Sequence, residues 1–208
     1  MPRPPPTIQF FLWGGLGLLV LGVVVASLNS ALLSRPLPVY GAVTNFSLAD
    51  QDGRVVSEAD WRGRICVVDL IFTRCPGPCP IVSATLQHLQ DALPSGPAVR
   101  LVSLTGDPAY DTPPVLKKYG EKFGARPAVW SFLTGPKEMM RRLATDQLKL
   151  SLVDKPPADR ETATDLVIHS TKLVLLDQQG RIRGYYDGET TECIPAILAA
   201  IQKLNKES

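Results

Sequence analysis

The sequence predicts an α/β sandwich with a mixed sheet, set behind one N-terminal transmembrane helix. Three observations predict it. Apolar, β-branched runs alternate with segments of helical periodicity through the body of the chain. A hairpin pattern, 166–176 and 181–186 turned at Asp177-Gln-Gln-Gly180, precedes the last helix. Residues 10–28 carry no charge.

The chain of 208 residues has room for one domain with appendages. Hydrophobic residues make up 45% and the formal net charge is +2. No long basic run occurs, so nucleic acid is not an expected partner, because phosphate binding needs clustered Lys and Arg. The prolines stiffen loops and the N-terminal region.

An uncharged helix over 10–28 would rise about 28 Å at 1.5 Å per residue, close to the ~30 Å hydrocarbon core. A cleaved signal peptide would carry a shorter apolar core and a more basic start. The expectation is an uncleaved anchor over 1–33, touching the membrane through 8–28. A proline-bearing stalk over 34–43 and a domain over 44–208 follow. Phe46–Val56 reads as a hairpin around Asp52-Gly53, and 58–63 as a short helix ended by glycine. Residues 65–72 are a nearly continuous apolar run, as in a central strand buried on both faces. A helix over 81–93, a strand over 99–104 and a helix over 115–123 come next. A strand over 130–134, a helix over 135–144, a polar insertion over 154–165, the hairpin and a helix over 192–204 complete the domain.

The loop between the first long strand and its helix reads Thr73-Arg-Cys75-Pro-Gly-Pro-Cys79-Pro80. Residues before proline are pushed out of the α region, so Cys75, Gly77 and Cys79 are expected in extended or turn conformations. The helix is then expected to start at Pro80, with both sulfurs on a rigid loop at its positive end. That end favours thiolate over thiol, and Arg74 would add positive charge. Two chemistries fit. The pair can form a disulfide and attack another one, Cys75 as nucleophile and Cys79 as resolving thiol. It can equally hold a soft metal; two thiolates and an imidazole suit Cu(I), and also Cu(II) or Zn(II).

Of two histidines, His88 lies more than two helical turns beyond Cys79 and reads as a surface residue. His169 interrupts the apolar run 166–176; a lone strand histidine is by default a structural residue, and its place opposite the cysteine loop makes it the candidate third ligand. Met139 and Met140 read as core filler. Cys66 reads as a buried small hydrophobe, and Cys193 as an unpaired thiol at the start of the last helix. Asp107 and Asp111 form a turn, with a supporting role beside a metal as the alternative.

Phe72-Thr-Arg-Cys75-Pro-Gly-Pro-Cys79-Pro80 resembles the Cys-Pro-x-x-Cys-Pro signature of the Sco/SenC proteins. The segments 107–113, 130–135 and His169-Ser-Thr171, followed by Asp177-x-x-Gly180, are similar to that family's motifs in the same order. The resemblance covers roughly 44–205. Tyr110 departs from it, standing where the family usually has arginine, and Thr105-Gly106 alters the approach to Asp107. The resemblance implies a thioredoxin-like fold. It implies copper, Cu(I) or Cu(II), on Cys75, Cys79 and His169. It implies a single-pass metallochaperone facing the periplasm or an equivalent space, whose partner is the copper-centre subunit of cytochrome c oxidase or a similar oxidase. The alternative is a thiol–disulfide oxidoreductase using Cys75 and Cys79.

Overall fold

The computed structural model describes residues 19–24, 36–93, 99–156, 158 and 167–207. The chain divides into two units, Met1–Pro36 and Leu37–Ser208. Of the expected membrane span, residues 19–24 are described and are helical; the remainder lies outside the described residues. Among the described residues no helix is long and apolar enough to cross a membrane.

The second unit opens with β1 (Gly41–Ala42), β2 (Ser47–Asp50) and β3 (Val55–Ser57), then the short helix α1 (Glu58–Trp61). β4 (Ile65–Ile71) leads to α2 (Cys79–Ala92), and β5 (Val99–Thr105) to α3 (Pro113–Lys122). β6 (Trp130–Thr134) leads to α4 (Lys137–Arg141), which runs on as a π-helical turn over 142–147. β7 (Leu152–Asp154), β8 (Val167–His169), β9 (Lys172–Leu176) and β10 (Arg181–Asp187) precede a 3-10 turn over 191–193 and α5 (Ile194–Leu204).

Eight strands form one sheet in the order β1-β10-β9-β4-β5-β6-β2-β3. β4, β5 and β6 run parallel, as crossover helices demand, and the other pairs are antiparallel. All seven residues of β4 are buried, which explains its unbroken apolar run. Its side chains divide by strand alternation. Ile65, Val67 and Ile71 enter a core with Val82 and Leu86 of α2, Leu116 of α3 and Ile197 of α5. Cys66, Val68 and Leu70 enter a second core with Trp61 and Met140. The sheet therefore lies between two apolar layers, and the expected mixed-sheet sandwich is present.

Four boundaries differ from expectation. The helix after the cysteine loop begins at Cys79, not Pro80. Pro80 then sits in the first turn, where its missing N–H would have had no intrahelical acceptor, and Pro78 O accepts from both Ile81 N (2.9 Å) and Val82 N (3.0 Å). Burial of Cys79, Val82 and Leu86 along one helix face outweighs the pre-proline bias at Cys79. Secondly, 166–176 is not one strand. β8 pairs with β7 in a separate two-stranded sheet, and β9 pairs with β4 and β10. His169 is therefore the last residue of a short strand rather than an interruption near the start of a long one. Thirdly, β7 ends at Asp154, where the polar insertion was expected to begin. Fourthly, the part of the expected stalk from Leu37 onward is bonded to the domain. Gly41 and Ala42 pair with β10, and Arg183, 3% exposed, donates to the carbonyls of Leu37 (2.7 Å) and Pro38 (3.1 Å).

Candidate metal centre

The C-terminal ends of the parallel strands β4 and β5 carry the two loops that build the site. After β4 the chain turns at once, with Cys75 N donating to Phe72 O at 3.1 Å. After β5, Gly106 N donates back to Ile71 O at 2.7 Å, so the second loop starts against the end of β4. Asp111 joins the loops. Its fully buried carboxylate accepts from Thr73 N (3.1 Å), Thr73 Oγ1 and Thr105 Oγ1. Burial, the larger effect, raises the Asp111 pKa against these hydrogen bonds. A second tie is the ion pair between Arg74 Nη2 and Asp107 Oδ2 at 2.6 Å. Asp107 and Asp111 thus do more than shape a turn.

Cys75 is half-buried and Cys79 is 1% exposed, and neither is in a disulfide. The two thiols are hydrogen-bonded neighbours. The Cys79 pKa is raised, first by that hydrogen bond to Cys75, then by burial and by the charges of Cys75 and Asp69; the backbone at Phe72 opposes them. The expected thiolate bias of the helix N-terminus is overridden at Cys79. Arg74 is paired with Asp107 and not reserved for the sulfurs, which corrects its expected role.

His169 reaches this region through its backbone position. β8 is registered against β7 with His169 opposite Leu152, and Ser170 N donates to Ser151 O at 3.0 Å. Leu152 lies beside Gly106 at the foot of the second loop, where a Cβ on the glycine would come within 3.1 Å of Leu152 Cδ1. The His169 side chain lies outside the described residues, and among those described no group of three His, Cys, Asp or Glu is gathered for a metal. The structure joins Cys75 to Cys79 and sets the His169 strand beside the Asp107 loop.

The remaining expectations divide plainly. His88 is exposed on α2, and Met140 is core. Cys66 is 1% exposed on β4, its thiol pushed up to about 12 by burial. Cys193 is buried at the end of its 3-10 turn. Two buried features were not legible as candidates in the sequence: Asp69, 1% exposed on the β4 face that looks toward α2, level with Ser103 of β5, and the bond between Ser83 Oγ and Tyr119 Oη at 2.9 Å. The signal for Asp69 was a lone acidic residue in an otherwise apolar strand.

The SCO1/SenC family model matches residues 38–206. The SCO1 protein homolog of Bacillus subtilis is 31% identical over 153 residues, 73% of this chain and 76% of its own. Among solved structures, BsSco, described as a member of the Sco family of cytochrome c oxidase assembly proteins with a disulfide switch, matches at TM-score 0.70. It is 27% identical, with 84% of this chain and all of that one covered. Yeast Sco1, solved with copper bound, matches at TM-score 0.64 and 26% identity over 79% of this chain and 90% of its own. The thioredoxin-like α/β architecture is shared with these structures. On the family model and this kinship together, the chain belongs to the SCO1/SenC family.

Proposed function

We propose that this chain is a membrane-anchored copper metallochaperone that helps assemble the copper centre of cytochrome c oxidase. Copper is its cargo, held by Cys75, Cys79 and His169. The observation that carries the reading is the thiol pair itself: two adjacent sulfurs just beyond the C-terminal end of the central strand β4, one half-buried and one enclosed. The donor set fits the metal, because two thiolates and one imidazole satisfy a soft ion of low coordination number, whereas structural zinc takes four protein ligands. The copper-bound structure of yeast Sco1 and the family's association with oxidase assembly support the same reading.

The division of labour follows from burial. Cys79 is locked into the first turn of α2 and gives up its proton as the metal enters. Cys75 stands at the accessible side, where an incoming thiolate of a partner reaches the metal first. His169, on a strand outside the main sheet, completes the site and leaves without disturbing the core. Copper passes by exchange of one ligand at a time. The anchor over 1–33, the domain over 44–208 and a periplasmic or equivalent location belong to the same proposal, since thiol and copper traffic of this kind suits an extracytoplasmic face.

The test uses the full-length chain purified in detergent, reduced and loaded with Cu(I) or Cu(II). One copper per chain is expected. His169→Ala weakens retention against a chelator by at least about 100-fold and leaves reduction of a model disulfide unchanged. Copper held as tightly by the variant as by the wild type rules out the three-ligand site. A wild type that retains no copper but reduces disulfides returns the chain to the oxidoreductase alternative.

A further inference from the structure

Arg74 stands one residue before Cys75 and has an environment that neither thiol chemistry nor copper binding explains. Its Nη2 meets Asp107 Oδ2 at 2.6 Å. Its Cζ lies 4.0 Å from the centroid of the Tyr110 ring, with the guanidinium over the ring face. Arg74 Nε is buried and has no hydrogen-bond partner among the described residues. A buried donor without an acceptor carries a desolvation penalty, so something offsets it. Attraction between the charged guanidinium and the Tyr110 ring face offsets part of that penalty.

The clamp is built from the second loop on both sides. Asp107 N donates to Thr105 Oγ1 at 2.9 Å. Asp107 O then receives Tyr110 N at 3.1 Å and Asp111 N at 2.9 Å. The carboxylate and the ring that hold Arg74 therefore belong to one hydrogen-bonded turn, pinned in turn by Asp111 to Thr73. Tyr110 is 46% exposed, with the guanidinium over one face of its ring.

We propose that Arg74 is a positioning residue for Cys75. Its guanidinium, held between the Asp107 carboxylate and the Tyr110 ring, fixes the Thr73–Cys75 turn so that the Cys75 sulfur stays against Cys79. A purely electrostatic role is the competing account. It fits poorly, because Arg74 and Asp107 form a pair of zero net charge, and little field is left over for the sulfurs. The two accounts separate at lysine. A lysine keeps the charge and the partner but has no plane to stack, and it is not equivalent to arginine at a stacked site.

This inference deepens the copper reading and rests on it for its use, yet its test needs no metal. The metal-free full-length chain is equilibrated with reduced and oxidised glutathione. As the Cys75–Cys79 bond forms, the two thiols give up two electrons and two protons, and one oxidised glutathione becomes two reduced ones. Holding the sulfurs together favours the disulfide. Arg74→Ala, Arg74→Lys and Tyr110→Ala should each lower the disulfide equilibrium constant about five-fold, as expected for loss of one stacked cation. Each should also speed alkylation of Cys75 by iodoacetamide. Tyr110→Phe should match the wild type, and the Arg74→Ala/Tyr110→Ala double variant should be no worse than either single one. The melting temperature should stay within a few degrees. Lysine behaving as wild type overturns the proposal in favour of charge. Equilibrium constants within two-fold of wild type for all variants, or a fall in melting temperature with no change in the equilibrium, also overturn it. Copper retention by the wild type, measured separately, decides the metallochaperone reading and leaves this result untouched.

Discussion

The two halves of the candidate centre are built to different standards. The cysteine half grows from β4, flanked on both sides by strands and buried along its whole length. Its loop is tied down by two bonds from Thr73 to Asp111, by the Arg74–Asp107 pair and by the paired amides on Pro78 O. The histidine half is a two-stranded ribbon, β7 with β8, outside the eight-stranded sheet and three residue pairs long. A two-stranded ribbon has little stability of its own. This one leans on Gly106 through Leu152, and on the bond from Gly188 N to Thr171 O at 3.0 Å. A cargo site has reason to be unequal in this way. On the proposed copper reading, one half would keep its donors in register through many cycles, and the other would let go of a donor without loosening the core.

The largest test strikes the cysteine half. Asp111→Ala leaves the Thr73 amide and two hydroxyls without their shared acceptor, inside the protein. A loss of roughly 3 kcal/mol in unfolding free energy is expected, together with faster alkylation of Cys75. Urea unfolding and thiol labelling measure the two effects. An unchanged labelling rate in a destabilised variant would mean that the loop does not depend on this carboxylate.

The counterpart strikes the histidine half. A Cβ at Gly188 would lie 2.5 Å from Thr171 O and 3.1 Å from Val82 Cγ1, so backbone must shift beside Ser170. Gly188→Ala should cost about 2 kcal/mol and weaken copper retention, with Cys75 labelling left at the wild-type rate. If labelling rose as it does for Asp111→Ala, the halves would be one mechanical unit and the contrast would fail.

The same contrast governs what the sequence disclosed. β4 was legible because burial on both faces leaves a run of apolar residues. The cysteine loop was legible because its prolines and thiols are themselves the chemistry. The break after His169 was not. Val167 to Leu176 stays apolar apart from His169 and the polar step Ser170-Thr-Lys172, and hydrophobicity does not record that a strand changes partners at that step. β7 was hidden for a related reason, since three residues are too few to show a period. The start of α2 at Cys79 was obscured by a true local rule, the bias of a residue before proline, which burial of the helix face overrode. Arg74 was seen as a charge, because only the folded chain brings Asp107 and Tyr110 around it.

Acid gives the smallest and most graded test. Asp177 closes the β9–β10 turn of the eight-stranded sheet, at the end of β9 away from Lys172. Burial alone would raise its pKa; hydrogen bonds from Arg183, from the backbone and side chain of Arg181 and from Gln179 N outweigh it, and the net shift is down from 3.8. A lowered folded pKa contributes stability that is full above the unfolded value and is lost as pH falls through the folded one. Asp111 is shifted the other way, up from 3.8, so proton uptake there favours the folded state as the pH drops. Below about pH 4, then, the β9–β10 turn loses its carboxylate contribution while Asp111 supplies no such loss. The expected slope from Asp177 is at most about 1.4 kcal/mol per pH unit. Asp177→Asn should flatten the acid branch of the stability curve, measured by urea unfolding at successive pH values, and Asp111→Asn should not. An equal flattening by both variants would erase this difference between the loop carboxylate and the turn carboxylate.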